Sequence, residues 1–331
     1  MKQLILVALI SAVAFAEKDY DAMFRQFKST HLKAYKDQAE ESVRFKNFVA
    51  NMRKAEVLQA ANPLADFGAN QFADMSEAEF ASFLGGAEYY KAALAAPRTT
   101  VEVTLAEKVA AAGSNVDWRL KDKVSGVKNQ GSCGSCWAYS ALGNVESVYA
   151  IAKGAAPVNL SEQELTSCDT IDSGCNGGLM DNAFKWILNT RNGEIITEAA
   201  YPYTSGSGYA PKCKADSELN ALPVGAVISG YNHYPNGEDS LAVAVQAQPT
   251  AIAVDATSFQ SYKGGIVTAC TNRQINHGVL AVGFNDENVP PYWIIKNSWG
   301  TSWGEEGYIR VAKGSNQCLV NQYITTAIAK V

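Results

Sequence analysis

Gln130-Gly-Ser-Cys133-Gly-Ser-Cys136-Trp137 is a loop of small residues that runs into a helix. From Cys136 to Lys153, Trp137, Leu142, Val145, Val148, Tyr149 and Ala152 recur on a helical period, and Gly154 follows as a C-terminal stop. Cys136 is thereby placed at the positive end of a helix dipole, which favours the nucleophilic thiolate over the thiol. Its small neighbours leave the sulfur approachable.

Outward from this helix the pattern stays helical and then turns to strands. Ser161 opens a second helix, with Glu164 placed to reach back in a reciprocal Ser-x-x-Glu box. Asp181 to Thr190 sets Ala183, Phe184, Ile187 and Leu188 on one face of a third. Downstream, Ala251–Val254, Val279–Phe284, Tyr292–Lys296 and Tyr308–Val311 read as strands punctuated by Gly and Pro. Helices first and strands second within one unit give an α+β class.

All seven cysteines and all six tryptophans lie beyond residue 112. The region before it has a different texture. Between Glu17 and Leu84, Met23, Phe24 and Phe27, then Val43, Phe45, Phe48, Val49 and Met52, predict two amphipathic helices. From Gly85-Gly86 to Gly113 an Ala-rich stretch without strong periodicity predicts an extended, accessible linker. At the start, Lys2, the apolar run Leu4–Ala14 and Ala14-Phe15-Ala16 form a secretory signal pattern over residues 1–16, too short to span a bilayer.

The 331 residues are 47% hydrophobic and 18% charged, which excludes wholesale disorder and suggests roughly two folding units. A net charge of -5 without a basic block argues against nucleic-acid partners. In an oxidising compartment an odd number of cysteines implies three disulfides and one free thiol. Spacing alone leaves their connectivity open.

A nucleophilic thiolate needs a proton partner, and the histidines are His31, His233 and His277. His31 lies in the polar N-terminal region, and the turn-like Gly230-Tyr-Asn-His233-Tyr-Pro235 suggests a surface role for His233. His277 opens the apolar strand to Gly283, at the mouth of a packed core. Asn297, between Tyr-Trp-Ile-Ile-Lys296 and Ser-Trp299-Gly, could accept from the imidazole and orient it.

With Gln130 to Trp137, Gly174-Cys-Asn-Gly-Gly178, Asn276-His277-Gly278 and Asn297-Ser-Trp-Gly300 in this order, the sequence resembles the papain family of cysteine peptidases, cathepsin L-like, over nearly its whole length. Gly-Ser-Asn-Gln-Cys318-Leu-Val and Trp293-Ile-Ile-Lys-Asn-Ser are similar to kinetoplastid members. Glu40, Arg44, Phe48 and Asn51, with Gly68-x-Asn70-x-Phe72-x-Asp74, match the family's prodomain signatures; Ala55 and Gln59 depart from the commonest residues there.

The resemblance implies a two-lobed papain-like fold, a helical lobe plus a β-barrel-like lobe, behind a helical inhibitory prodomain. It implies a propeptide over 17–111, a mature domain over 112–331, and disulfides Cys133–Cys175, Cys168–Cys213 and Cys270–Cys318, leaving Cys136 free. Cys136 would be the nucleophile, His277 the base, Asn297 the orienter, and Gln130 with the Cys136 N–H the oxyanion hole.

Substrate contacts would come from Gly177, Gly178, Leu179, Met180, Ala253, Ile275, Asn276, Gly278 and Trp299, with Tyr323 at the floor of the pocket for the second residue before the cut. No metal or cofactor is implied. The expected partners are protein and peptide substrates, the chain's own propeptide and cystatin-type inhibitors, for a monomer in a lysosome-like compartment or outside the cell. No insertion interrupts Cys213 to Gly225, so endopeptidase action is expected. Two rival readings are a thiol-disulfide site at Cys133-Gly-Ser-Cys136, for which no βαβ unit is visible, and a catalytically silent homologue, which would commonly lack the nucleophile or base.

Overall fold

The computed structural model describes residues 18–271 and 273–331. The signal pattern over 1–16 lies outside them.

The propeptide begins with two helices, Tyr20–Thr30 and Gln38–Ala61, whose first turns are capped by the carboxylates of Asp19 and Asp37. Phe24 and Phe27 of the first pack on Phe48 of the second, with ring centroids 5.3 and 5.2 Å apart. These rings do not form an isolated core. They join one apolar cluster with Tyr262, Trp293, Trp299 and Trp303 of the C-terminal lobe.

Residues 85–113 are not the extended, accessible linker expected. They contain the helices Ala87–Ala95 and Leu105–Ala111. Alanine is the best helix former and carries no periodicity signal, so composition rather than pattern decides this stretch. Thr104 and Glu107 close a capping box at the second helix, and Tyr90 of the first is wholly buried.

The helix Cys136–Lys153 is buried on nearly every side, and Gly154 ends it at φ +64°. Lys128 ties it to its neighbour: its Nζ lies 2.8 Å from Glu146 and 2.7 Å from Glu162. Ser161 caps the helix Glu162–Cys168 by accepting from the Glu164 N–H. The reciprocal half of the box is not made, because the Glu164 carboxylate accepts instead from Arg191 Nε and Ile196 N–H, both at 2.8 Å. Met180–Thr190 follows as the third helix.

The strands form one sheet, antiparallel except where Tyr262–Val267 runs parallel to Tyr308–Ala312. From that edge the order continues through Tyr292–Lys296, His277–Asn285, Thr250–Val254, Ile324–Ala329 and Val224–His233 to Glu194–Ile196. The path is open, so the lobe is a curved sheet rather than a closed barrel. Ala65–Phe67 of the propeptide adds a strand to its free edge, beside Tyr262–Val267. The helix Glu238–Ala247 also belongs to this lobe. The class is α+β, with one apolar core centred on the sheet and another on the helix Cys136–Lys153.

Candidate active site

Cys136 is the first residue of its helix, at the junction of the two lobes. Facing it, His277 starts the strand His277–Asn285, and Asn297 follows the paired strand Tyr292–Lys296. Pairing of those two strands brings the residues together: His277 Nε2 and Asn297 Oδ1 are 2.8 Å apart, and Trp299 covers the imidazole with its ring centroid 4.7 Å away. The other imidazole nitrogen, Nδ1, is buried with no hydrogen-bond partner among the described residues. Gln130 is fully buried, and its amide oxygen accepts from Ser298 Oγ at 2.6 Å, which fixes the direction of its NH2 group.

A strap of propeptide crosses this site. Gln130 Nε2 donates to the Phe83 carbonyl at 2.9 Å and to the Cys133 carbonyl at 2.8 Å. Cys136 Sγ donates to the Leu84 carbonyl at 3.6 Å, and the Gly278 N–H points at the sulfur from 3.4 Å. Gly85 then passes so close that a Cβ there would lie 2.4 Å from the Gly134 carbonyl oxygen and 3.0 Å from Cys136 Sγ.

Burial in this covered site opposes the thiolate that the helix terminus favours. Burial pushes the Cys136 thiol up to about 12, against the N–H groups of Gly278 and Trp137 that favour the thiolate. Burial likewise pulls His277 down to about 4, against its bond to Asn297. Between those values both groups are neutral. In the covered site, desolvation of the thiol outweighs the backbone N–H groups that favour its ionised form.

Beyond Gly85, Tyr90 plugs an apolar pocket. It shares one cluster with Leu179, Met180, Ala253, Ile275 and Tyr323; its hydroxyl donates to Met180 Sδ at 3.3 Å, and its ring meets Tyr323 edge-on at 5.6 Å. Gly278 leaves it room, since a Cβ there would sit 3.0 Å from the Tyr90 hydroxyl. Gly177, at φ +117°, lies under the Gly85 carbonyl, whereas Gly178 is packed on Asp172 and Trp137. Asn276 is committed elsewhere: it accepts from the Ala256 N–H and donates to Thr257 Oγ1. Trp299 faces Phe72 and Phe80 of the propeptide, at 5.2 and 5.5 Å.

Disulfides join Cys133 to Cys175, Cys168 to Cys213 and Cys270 to Cys318, and Cys136 is the free cysteine. With Cys133 bridged to Cys175, the pair Cys133 and Cys136 is not a disulfide here. His233 is not at the surface. It is 9% exposed at the end of Val224–His233, with Nε2 3.4 Å from Asp181. Sequence reasoning missed Asp181, Tyr90 and Asn62, whose partners are distant in the chain. Among the described residues no cluster of His, Cys, Asp or Glu could hold a metal ion, and no helix is long and apolar enough to cross a membrane.

A family profile described as papain family cysteine protease matches residues 112–328, and one described as cathepsin propeptide inhibitor domain (I29) matches residues 24–80. A cysteine proteinase of Trypanosoma brucei brucei is 50% identical, over 98% of this chain and 72% of that protein. Cysteine proteinase A of Leishmania mexicana is 48% identical over 92% of this chain and 85% of that protein. Among solved structures, a recombinant stem bromelain precursor superposes with a TM-score of 0.82 at 33% identity, covering 95% of this chain and all of that one. Digestive procathepsin L 3 from the larval midgut of Tenebrio molitor gives 0.76 at 37% identity, covering 94% of this chain and all of that one.

Proposed function

Because the chain belongs to the papain family of cysteine proteases, cathepsin L-like and carrying an I29 inhibitor propeptide, we propose that it hydrolyses peptide bonds through Cys136 and His277 once residues 17–111 have been removed. Cys136 is the nucleophile, His277 the base, Asn297 its orienter, and Gln130 with the Cys136 N–H the oxyanion donors. One observation carries this reading: a peptide backbone already lies across the site, with successive carbonyls, Phe83 and Leu84, on Gln130 and Cys136.

The strap runs from Trp299, past Cys136, to the pocket holding Tyr90. A substrate whose second residue before the cut fills that pocket runs the other way, so the strap offers its carbonyls without the orientation for attack. When it leaves, water returns to the thiol and the imidazole. The burial that held both neutral is relieved, and the proton of Sγ passes to Nδ1, which has no other partner. The thiolate attacks the scissile carbonyl, and Gln130 takes the oxyanion. His277 protonates the leaving amine, and water hydrolyses the thioester.

The pocket lined by Leu179, Met180, Ala253, Ile275, Gly278 and Tyr323 is read as selecting aromatic and aliphatic second residues, as its occupation by Tyr90 supports. Maturation near Ala112 is favoured by exposure of Ala112 and Gly113 after the helix Leu105–Ala111. The mature domain is then 112–331, acting in the secretory pathway, in a lysosome-like compartment or outside the cell.

Gln130→Ala should lower kcat by about 100- to 1,000-fold, while Cys136 still reacts with an alkylating reagent. An unchanged kcat on peptide substrates would refute the oxyanion role.

A further inference from the structure

The end wall of the pocket that holds Tyr90 conceals an acid. Tyr323 is fully buried, and its hydroxyl donates to Asp181 Oδ1 in a close contact. The other carboxylate oxygen of Asp181 lies 3.4 Å from His233 Nε2. The carboxyl stays below its usual range: burial opposes ionisation, but the bonds from His233 and Tyr323 outweigh it. A negative charge therefore sits directly behind an aromatic ring, satisfied by protein donors and withheld from the pocket.

The surroundings already accommodate a cation. The Arg98 guanidinium of the propeptide lies 4.6 Å from the Tyr323 ring centroid, and its Nη2 donates to the neighbouring Gln322 carbonyl at 3.3 Å. Arg98 belongs to the segment proposed to leave on maturation. Asp181, Tyr323 and His233 belong to the domain that stays.

We propose that Asp181 is a specificity-determining positioning residue, holding Tyr323 as a neutral plug in the second-residue pocket and presenting its carboxylate to a basic substrate side chain when that plug is removed. This rests on the pocket assignment made above. By donating to Asp181, the Tyr323 hydroxyl points out of the pocket and leaves ring carbon as its end wall. A guanidinium entering the intact pocket meets that wall and gains no carboxylate for the water it loses, whereas a phenyl ring meets the Tyr323 ring edge-on as Tyr90 does.

The experiment uses the acid-matured enzyme and two peptides that differ only in Phe or Arg at the second position before the cut. Wild type is expected to favour Phe in kcat/KM. Tyr323→Ala should move the Arg-to-Phe ratio towards Arg by about tenfold or more, the scale of one charge-assisted bond, chiefly through KM. Tyr323→Ala combined with Asp181→Asn should abolish that shift, and Tyr323→Phe, which keeps the plug, should still favour Phe. Tyr323→Leu replaces the alanine variant if titration of the Cys136 thiol shows that alanine prevents folding. A wild type that already favours Arg overturns the pocket assignment and the plug together. A wild type that favours Phe, with no shift in the single variant or a shift that survives Asp181→Asn, overturns this inference alone.

Discussion

The propeptide meets its enzyme in two regions that work by different physics. Over the sheet lobe, its folded part docks largely through side chains, beside one strand, Ala65–Phe67, whose backbone pairs with Tyr262–Val267. Gln71 bonds the Trp299 carbonyl and Ser302, Asn70 bonds the Tyr262 carbonyl, and Phe72 and Phe80 meet Trp299 edge-on. Across the cleft, the strap docks mostly through backbone. The Phe83 and Leu84 carbonyls sit on Gln130 and Cys136, and Gly85 is pressed between Gly134 and Gly177. Side-chain docking supplies many separable contacts, each adjustable. Backbone docking brings the chain within touching distance of the sulfur and tolerates almost no added atom.

Gly85→Val should have the largest effect. Gly85 has φ +56°, and any Cβ there collides with the Gly134 carbonyl. Left-handed strain plus that clash should cost about 3 kcal/mol or more, a factor of ~100 in strap occupancy. Alkylation of Cys136 in the intact zymogen at neutral pH should quicken accordingly. An unchanged rate would mean that the folded part, not the strap, guards the thiol.

Asn62→Ala probes the other region. Asn62 is fully buried; its Oδ1 accepts from the N–H groups of Thr268 and Ala269, and its Nδ2 donates to the Leu58 and Ala269 carbonyls. Stranding those groups should cost about 2–3 kcal/mol and lower the zymogen Tm by roughly 5 °C. An enzyme matured by the proposed removal of residues 17–111 should unfold as before. Equal zymogen Tm values for variant and wild type would show that this docking adds nothing.

Glu79→Gln should have the smallest effect. Its carboxyl is held below the usual range: burial opposes, but bonds from Ser76 and the Arg44 cation 2.9 Å away prevail. Its contribution is thus fully present above the unfolded carboxylate range near pH ~4.3 and is lost as pH falls through the lower folded value. At 44% exposure, solvent screening keeps it under about 1 kcal/mol. The drop in zymogen Tm between pH 6 and pH 4, followed by calorimetry, should shrink by about 1–2 °C in the variant. A wider drop would show the sign to be wrong.

The same contrast explains what could be read from the sequence. The helix Cys136–Lys153 is legible from its periodicity and Gly154, and four strands from their apolar runs. The prodomain helices are legible because Phe24, Phe27, Phe48 and Met52 carry a period. The strap is not. Its contacts beside Cys136 are made by backbone, and its helices are rich in alanine, so neither leaves a pattern of side chains. Tyr90 is a single aromatic in a bland stretch, and only the fold shows that it reaches Tyr323. Thr250–Val254 and Val224–His233 each pair with Ile324–Ala329, far along the chain, and Asp181 meets His233 only through that lobe. The burial that opposes charge on Cys136 and His277 comes from segments distant in the chain and is invisible in local sequence.

The central claim is that the strap, by excluding water, keeps Cys136 a thiol. The most direct measurement is the rate constant for alkylation of Cys136 by iodoacetamide from pH 3 to pH 10, in the intact zymogen and after acid maturation. A slow, flat profile in the zymogen, with a thiol that ionises only towards pH about 12, and a fast profile with an acidic inflection in the mature enzyme, is the predicted result. A zymogen that reacts as fast as the mature enzyme at neutral pH, with the same inflection, would contradict it.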